Sequence, residues 1–346
     1  MKPMIGSRLG RVIVATAAGM TVSGCYYMQA ARGQFEVMRK QEPIAEVLSA
    51  SETPTELADR LRLVEDARRF SIDELGLPDN DSYRSYADLE RDYVVWNVMA
   101  APEFSLQPKT WCYPIVGCVS YRGYFSAASA ERKAGQLKKT GYDVALGGVA
   151  AYSTLGRFSD PILNTMMHWE DIDLIATMFH ELAHQLLYIK DDSGFNESFA
   201  TAVEEFGVDR WLTSHAKSEE LDEYRERRKL RSATMTVIDE ARTDLDQIYG
   251  ASMALEQKRA LKKQRLWGLA NDVRALYDRA GREPAAWLDE DLNNARLASM
   301  TLYHGRLPAF RALLKRCDND LQCFYGEARA LAELEPAKRD AQLDNL

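Results

Sequence analysis

The sequence predicts an α+β fold that is predominantly helical, with a small β-sheet and a helical C-terminal region. Apolar residues recur at three- and four-residue spacing over much of the 346 residues, which is the period of a helix with one buried face. Short runs of β-branched and aromatic residues interrupt this pattern in the first half of the chain, as expected of a few strands. The length is sufficient for one large domain, or for a domain with a helical partner.

The first 25 residues have the pattern of an export signal. Lys2, Arg8 and Arg11 precede an apolar run over residues 12–20, which is too short to span a bilayer as a stable helix. Small residues then lead to Cys25, and this ending resembles the lipobox of bacterial lipoproteins. The resemblance implies an acyl chain on Cys25, which becomes the first residue of the mature chain. An ordinary cleavable signal, or a chance cysteine after an apolar segment, is the alternative.

The elements expected before residue 141 follow from periodicity and from the positions of proline and glycine. They are a helix that Pro43 kinks, a helix that starts at Pro54, a strand, an aromatic segment of strand, turn and loop, and a short helix. Their predicted ranges are 29–51, 54–70, 93–100, 111–125 and 129–140.

When Cys25 is set aside, four cysteines remain, as the pairs Cys112/Cys118 and Cys317/Cys323 with identical spacing. Each pair could close a small local loop as a disulfide, which fits an oxidising compartment. Zinc ligation favours two-residue spacing inside four-ligand sets, so neither pair looks like a metal site. Four free thiols are the alternative.

The motif His180-Glu181-x-x-His184 lies in a segment with helical apolar spacing and without Pro or Gly over residues 171–190. On a helix the four-residue step turns by about 400° and rises roughly 6 Å, so both imidazoles face the same way and one metal ion can take both. Glu181 is then about 100° from His180, beside the ion, where a general base can accept a proton from a bound water. Two helix-surface histidines without a metal are the alternative.

A second helix is predicted to fold back on the first after a turn at residues 191–194, with Asn196 as a cap and Gly207 at its end. A catalytic zinc needs three protein ligands and one open position, and a His/His/Glu set is a known solution. Glu197 is the best third ligand in this helix.

Other polar residues of the second helix are compatible with more than one role at the predicted metal site. Glu204 and Glu205, about two turns beyond Glu197, are candidates for a rival ligand, for a partner that holds a histidine from behind, or for an anchor of a substrate amine. A solvated helix face is the alternative for this pair. Thr201 is a further candidate for a position behind the metal.

The two helices resemble those of the gluzincin metallopeptidases, in which an Asn-Glu pair opens the second helix and the Glu binds zinc. The resemblance implies a zincin-like catalytic core, one Zn²⁺ held by His180, His184 and Glu197, and Glu181 as the general base. Only twelve residues separate His184 from Glu197, fewer than in the better-known gluzincins, so the connection between the helices must be tight.

Residues 111–125, residues 147–161 and the paired helices together look like a family of predicted aminopeptidases found as bacterial envelope lipoproteins. In zinc peptidases of this class an edge strand before the zinc helix pairs with the substrate backbone, so Gly147 and Gly148 are expected to lie against a peptide substrate. Tyr152 is the candidate donor to the developing oxyanion, with a tyrosine packed in a strand as the alternative.

From residue 218 the chain is rich in Glu, Lys, Arg, Leu and Ala with helical spacing, and the pattern breaks near Gly250, at residues 281–284 and at residues 305–308. The predicted organisation is a lipoprotein signal at residues 1–24, a zincin-like metallopeptidase core with N-terminal helices at residues 25–215, and a helical region packing on that core at residues 216–346.

The charge restricts the partners. The net charge is −8, and it is near −11 without residues 1–24, which argues against nucleic acid and against direct electrostatic attachment to anionic lipid. Attachment to a membrane is therefore expected through the lipid at Cys25, and Tyr26 in place of Asp favours the periplasmic face of the outer membrane. The expected function is a zinc-dependent peptidase of the cell envelope, and the resemblance to predicted aminopeptidases implies hydrolysis from the N-terminus of a peptide. The alternatives are a non-catalytic envelope zinc-binding or assembly lipoprotein, and a zinc amidase acting on cell-wall amides.

Overall fold

The structure is a computed structural model that describes residues 26–113, 117–284, 286–289, 292–301 and 305–346. The predicted lipoprotein signal and Cys25 lie outside the described residues. Within them, none of the helices is long and apolar enough to cross a membrane.

Helices predominate and strands are short, which confirms the predicted fold class. The helices are α1 (residues 26–39), α2 (Ile44–Ser49), α3 (Thr55–Asp73), α4 (Ala127–Lys139), α5 (Asp171–Leu186), α6 (Ser193–Ser214), α7 (Ser218–Gly250), α8 (Leu255–Arg279), α9 (Asn294–Thr301), α10 (Leu307–Arg316), α11 (Leu321–Ala332) and α12 (Pro336–Leu343), with short 3₁₀ turns at Asn164–Met166 and Ala286–Asp289. The strands are β1 (Gln41–Pro43), β2 (Ser85–Ala87), β3 (Val95–Pro102), β4 (Trp111–Tyr113), β5 (Gly117–Val119), β6 (Tyr121–Tyr124), β7 (Tyr142–Val149) and β8 (Ile162–Leu163).

The main sheet is antiparallel with the order β6-β3-β7, and its central strand β3 buries Val98, Ala100 and Ala101 completely. Trp96 of β3 pairs with Tyr124 on one side and with Gly148 on the other. A second sheet has the order β1-β2-β8, and β4 and β5 form a separate hairpin. Helix α4 packs on one face of the main sheet through small buried residues such as Ala130 and Ala134.

Helices α5 and α6 lie at the centre of the largest hydrophobic core. Phe179 of α5 and Phe199 of α6 are fully buried, and Phe310 and Phe324 bring α10 and α11 into the same core. Helices α7 and α8 pair around a second apolar cluster. The helical C-terminal region therefore contributes to both cores, and α10 and α11 support the two central helices directly.

The structure corrects the predicted helix over residues 29–51. Helix α1 ends at residue 39, and Gln41–Pro43 then pair with β2 as an edge strand before α2 begins. A residue before proline avoids the helical region, and proline is tolerated at a strand edge, so Pro43 separates two helices instead of kinking one.

The predicted end of the second central helix at Gly207 is also wrong, because α6 continues to Ser214. A Cβ atom at Gly207 would lie 2.8 Å from Leu75 Cδ1 and from Phe179 Cδ2. The missing side chain lets α5 and α6 approach each other closely.

The four cysteines pair as expected, into the disulfides Cys112–Cys118 and Cys317–Cys323. The first closes the β4–β5 hairpin, and the second joins the end of α10 to the start of α11. A further contact fixes the hairpin to the connection between α5 and α6, since the backbone N–H of Cys118 donates to Asp191 Oδ1 at 2.6 Å.

Candidate metal centre

Helix α5 places His180 and His184 one turn apart, with their ring centroids separated by 4.8 Å. Phe179 and Leu182 are fully buried next to them, so packing fixes the rotation of α5 about its own axis. Both imidazoles consequently face α6, and the side chain of His184 is only 6% exposed.

The start of α6 places Glu197. Asp192 caps this helix by accepting a hydrogen bond from the N–H of Phe195 at 3.0 Å. Asn196, predicted as the cap, instead holds the connection between the helices: its Nδ2 donates to the carbonyl oxygen of Ile189 at 2.7 Å, and its Oδ1 accepts from the N–H of Ile189 at 2.8 Å. This clamp brings the next residue, Glu197, against α5.

His180, His184 and Glu197 form a cluster of three potential metal ligands. The two Nε2 atoms are 3.1 Å apart, and Glu197 Oε2 lies 3.2 Å from that of His180 and 3.6 Å from that of His184. Ligands about 2.0–2.2 Å from a small tetrahedral cation are roughly 3.3–3.5 Å from one another. The residues therefore fit such a cation, and the three ligand atoms converge as its first coordination shell requires.

The adjacent acidic residues Glu204 and Glu205 have separate environments. Glu204 Oε2 lies 3.0 Å from His180 Nδ1, so this carboxylate can fix the ring from behind. Glu205 is 3% exposed and is held instead by Arg228 at 2.8 Å and by Arg311 at 2.6 Å. Glu205 thus joins α6 to α7 and α10, and it does not reach the ligand cluster.

Burial and the neighbouring charges set the ionisation of the two other carboxyl groups. Burial raises the pKa of Glu181 above its usual range, although the nearby histidines His184 and His180 oppose this shift. Burial alone would also raise the pKa of Glu197, but hydrogen bonds with His180 and His184 outweigh it and lower this pKa to about 2. Glu197 is therefore an ionised potential ligand, whereas Glu181 has the raised proton affinity that suits a general base.

A cleft of about 430 Å³ opens on the cluster. Its walls come from α1, from the sheet edge at β6, from the segment after β7 and from α5 and α6, and tyrosines are prominent among them. The lining includes Tyr26, Tyr27, Ala30, Asn97, Tyr113, Tyr121, Phe125, Tyr152, His180, Glu181, His184, Tyr188 and Glu197.

Three tyrosines of the cleft lining are candidates for the hydroxyl that donates to an oxyanion, and one of them is the predicted Tyr152. Tyr152 lines the cleft as expected, and its hydroxyl donates to Gln34 of α1. The sequence interpretation missed Tyr121 and Tyr188. Tyr121 lines the cleft and is 39% exposed. Burial raises the pKa of the Tyr188 hydroxyl, and the negative charge of Glu197 raises it further. Tyr188 could have been found from its position four residues after His184, but no local signal identifies Tyr121.

Gly147 and Gly148 lie in β7, which is an edge strand of the main sheet as expected, but neither is part of the cleft lining, so their contact with a substrate stays a prediction. A Cβ atom at Gly148 would overlap the ring of Tyr93, which explains glycine at this position. Val149, the last residue of β7, does line the cleft. Thr201, the further candidate behind the metal, is buried in α6 outside this lining.

A protein-family model described as "Putative aminopeptidase" matches residues 25–343. The match covers the ligand cluster, the cleft and most of the helical C-terminal region. No curated protein and no solved structure matches the chain.

Proposed function

This chain belongs to the family whose model matches it, and from that premise we propose that it is a zinc-dependent aminopeptidase of the bacterial cell envelope. The observation that carries the proposal is the convergence of His180 Nε2, His184 Nε2 and Glu197 Oε2 in the wall of an open cleft. The two nitrogen ligands and one carboxylate are a donor set of catalytic zinc, which leaves one coordination position open.

Zinc bound by these three residues would act as a Lewis acid and lower the pKa of a bound water to about 7. Glu204 holds the His180 ring so that Nε2 remains directed at the cluster. Glu181, which lines the cleft beside the ligands, takes the proton of the attacking water on its carboxylate and passes it to the leaving amine.

The tyrosines provide hydrogen-bond donors around the scissile carbonyl group. Tyr121 lines the cleft, and its hydroxyl, protonated at neutral pH like any phenol, can donate to a developing oxyanion. Tyr188 lies beside His184, with 6.2 Å between the ring centroids, and offers a second hydroxyl. Tyr152 can take this role only by releasing Gln34.

The envelope location rests on the sequence of residues 1–25. We propose that Cys25 carries the lipid and that the protein resides on the periplasmic face of the outer membrane. The parent chain and the Cys25→Ser variant are produced in a Gram-negative host that is fed a labelled fatty acid, and the cells are fractionated. We expect the parent to carry the label and the variant to lose it. Labelling that persists in this variant would refute it.

The test of the activity uses zinc-loaded protein and a peptide library with free and with N-blocked ends, followed by sequencing of the fragments. We expect cleavage of unblocked peptides only. Glu181→Gln should retain zinc and lose turnover by at least about a hundredfold, whereas His184→Ala should lose both.

The matched control is Glu170→Gln, which removes an exposed carboxylate at the start of the same helix and should leave both readouts unchanged. Undiminished hydrolysis by Glu181→Gln would contradict the mechanism. Cleavage of cell-wall amides without cleavage of peptides would assign the site to an amidase. Retained zinc without hydrolysis of either substrate would favour a binding protein.

A further inference from the structure

The outer face of α1 is apolar and lacks acidic residues, although the protein as a whole is acidic. Its exposed positions recur along the helix and cover about 140° of its circumference at 100° a residue. They are Tyr27, Met28, Ala31, Arg32, Phe35, Met38 and Arg39, which together are called the α1 outer face. The two arginines lie side by side at one margin of this face, and the apolar side chains occupy the rest.

The exposure of these side chains is unusual for the molecule. Phe35 is 65% exposed, Met28 55%, Tyr27 49% and Met38 42%. Among the described residues, they are four of the nine large apolar side chains that are exposed. Exposed apolar residues scattered singly are ordinary on a protein surface, but a contiguous group on one helix marks an interaction surface.

The inner face of α1 is fixed, so the outer face cannot turn inward. Val37 is fully buried, and a Cβ atom at Gly33 would overlap the ring of Phe125. Gln29 Oε1 accepts a hydrogen bond from the N–H of Phe125 at 3.1 Å. Near the end of the helix, Glu36 forms an ion pair with Arg91 at 2.9 Å. The exposed side chains are therefore held outward by packing on the opposite side.

We propose that the α1 outer face lies on an anionic phospholipid bilayer, with Phe35, Met28 and Met38 in the interfacial region and Arg32 and Arg39 at the lipid phosphates. An apolar helix face with basic residues and without acidic ones is the pattern of an interfacial helix. Cys25 is the residue directly before α1, which begins at residue 26. A lipid on Cys25 would therefore place the bilayer at the first residue of this helix. A protein partner would explain the apolar residues but not the position beside the anchor.

This orientation has a consequence for the cleft. Tyr26, Tyr27 and Ala30 of α1 line the cleft, and Tyr27 also belongs to the α1 outer face. The cleft would therefore open beside the bilayer, where it would meet chain ends that lie close to the membrane surface. Lipid binding can be measured with a protein that has no substrate, so its outcome is independent of the proposed hydrolysis.

The test uses the chain from residue 25 with Cys25→Ser, so that no acyl chain contributes. Flotation with vesicles of phosphatidylethanolamine and phosphatidylglycerol should carry the protein upward, and vesicles of phosphatidylcholine alone should carry less. The double substitution Phe35→Asp/Met38→Asp should weaken binding by about tenfold or more, since two apolar side chains would no longer leave water when the protein binds. Arg32→Gln/Arg39→Gln should remove the preference for phosphatidylglycerol.

The matched control is Leu255→Asp/Trp267→Asp, which places the same charges at two exposed apolar positions of α8, 58% and 69% exposed, and should bind like the parent. Phe35→Trp should show fluorescence quenching by brominated acyl chains.

Absence of flotation for the parent chain, or equal flotation of the Phe35/Met38 variant, would overturn the proposal. The lipid proposal would also be overturned if the parent chain formed a dimer, did not bind vesicles, and became monomeric with Phe35→Asp/Met38→Asp. The α1 outer face would then be assigned to contact with a second copy of the chain. Peptide hydrolysis of the variant in solution reports separately on the proposed activity, because Phe35 and Met38 lie outside the cleft lining.

Discussion

The contact between Glu204 and His180 fixes the orientation of one of the three potential metal ligands. A carboxylate behind a ligating imidazole fixes the tautomer and the ring orientation, and its loss commonly costs about 10–100-fold in metal affinity. The Glu204 Oε2 to His180 Nδ1 distance of 3.0 Å predicts an effect in this range for Glu204→Gln. Competition with a fluorescent zinc chelator measures it, with exposed Glu219→Gln of α7 as the control. Equal affinities of the two variants would exclude this role for Glu204.

His184 has no such support. Its Nδ1 is buried and has no hydrogen-bond partner among the residues that the structure describes. The two histidines of the motif are therefore unequal, and only His180 combines a ligand atom on one side with a carboxylate on the other.

At the residue scale, the sequence predicts the part of the site that depends on local geometry. The positions of His180 and His184 follow from a four-residue step on a helix. The choice between Glu204 and Glu205 does not, because adjacent residues point about 100° apart and the rotation of α6 is set by its packing. Arg228 and Arg311, which hold Glu205, lie on α7 and α10, 23 and 106 residues away along the chain. The role of Tyr121 is likewise not predictable from local sequence, because it is the pairing of β6 with β3 that places this residue in the cleft wall.

At the scale of elements, the close approach of α5 and α6 depends on Gly207. We expect Gly207→Ala to destabilise the protein by about 1–3 kcal/mol, because the new methyl group would be forced against Leu75 and Phe179. Urea unfolding measures the change in the free energy of unfolding. Gly135→Ala in α4 is the matched control, since a Cβ there has no neighbour within 4 Å, and it should stabilise by up to about 1 kcal/mol. A loss of stability no greater than that of the control would contradict the close-packing argument.

Element prediction from the sequence succeeded where the pattern is long and regular. Helix α5 follows from its apolar period, and the predicted breaks near residues 250, 281–284 and 305–308 match the ends of α7, α8 and the start of α10. It failed at Gly207, where glycine usually ends a helix but here serves a contact with another helix. It also failed at Pro43, whose strand exists only because β2 lies beside it.

At the scale of the whole molecule, metal binding should couple to overall stability, because α5 and α6 supply both the ligands and the centre of the main core. A ligand that binds only the folded state stabilises it by about 2.7 kcal/mol at a free concentration one hundred times its Kd. Removal of zinc with a chelator should therefore lower the Tm by several degrees. The Tm of His184→Ala should not respond to the chelator. A parent Tm that is insensitive to zinc would show that the cluster binds no metal in the folded chain.

The two hydrogen bonds between Asn196 and Ile189 bear on how the cluster forms. They fix the short connection between α5 and α6 immediately before Glu197, the one member of the potential ligand cluster that lies in α6. The three potential ligand atoms are consequently together once the backbone has folded, so we expect cation uptake to require no rearrangement of the chain. Empty and loaded protein should have superimposable backbones, and the rate of uptake should be governed by diffusion through the tyrosine-lined opening and by displacement of protons.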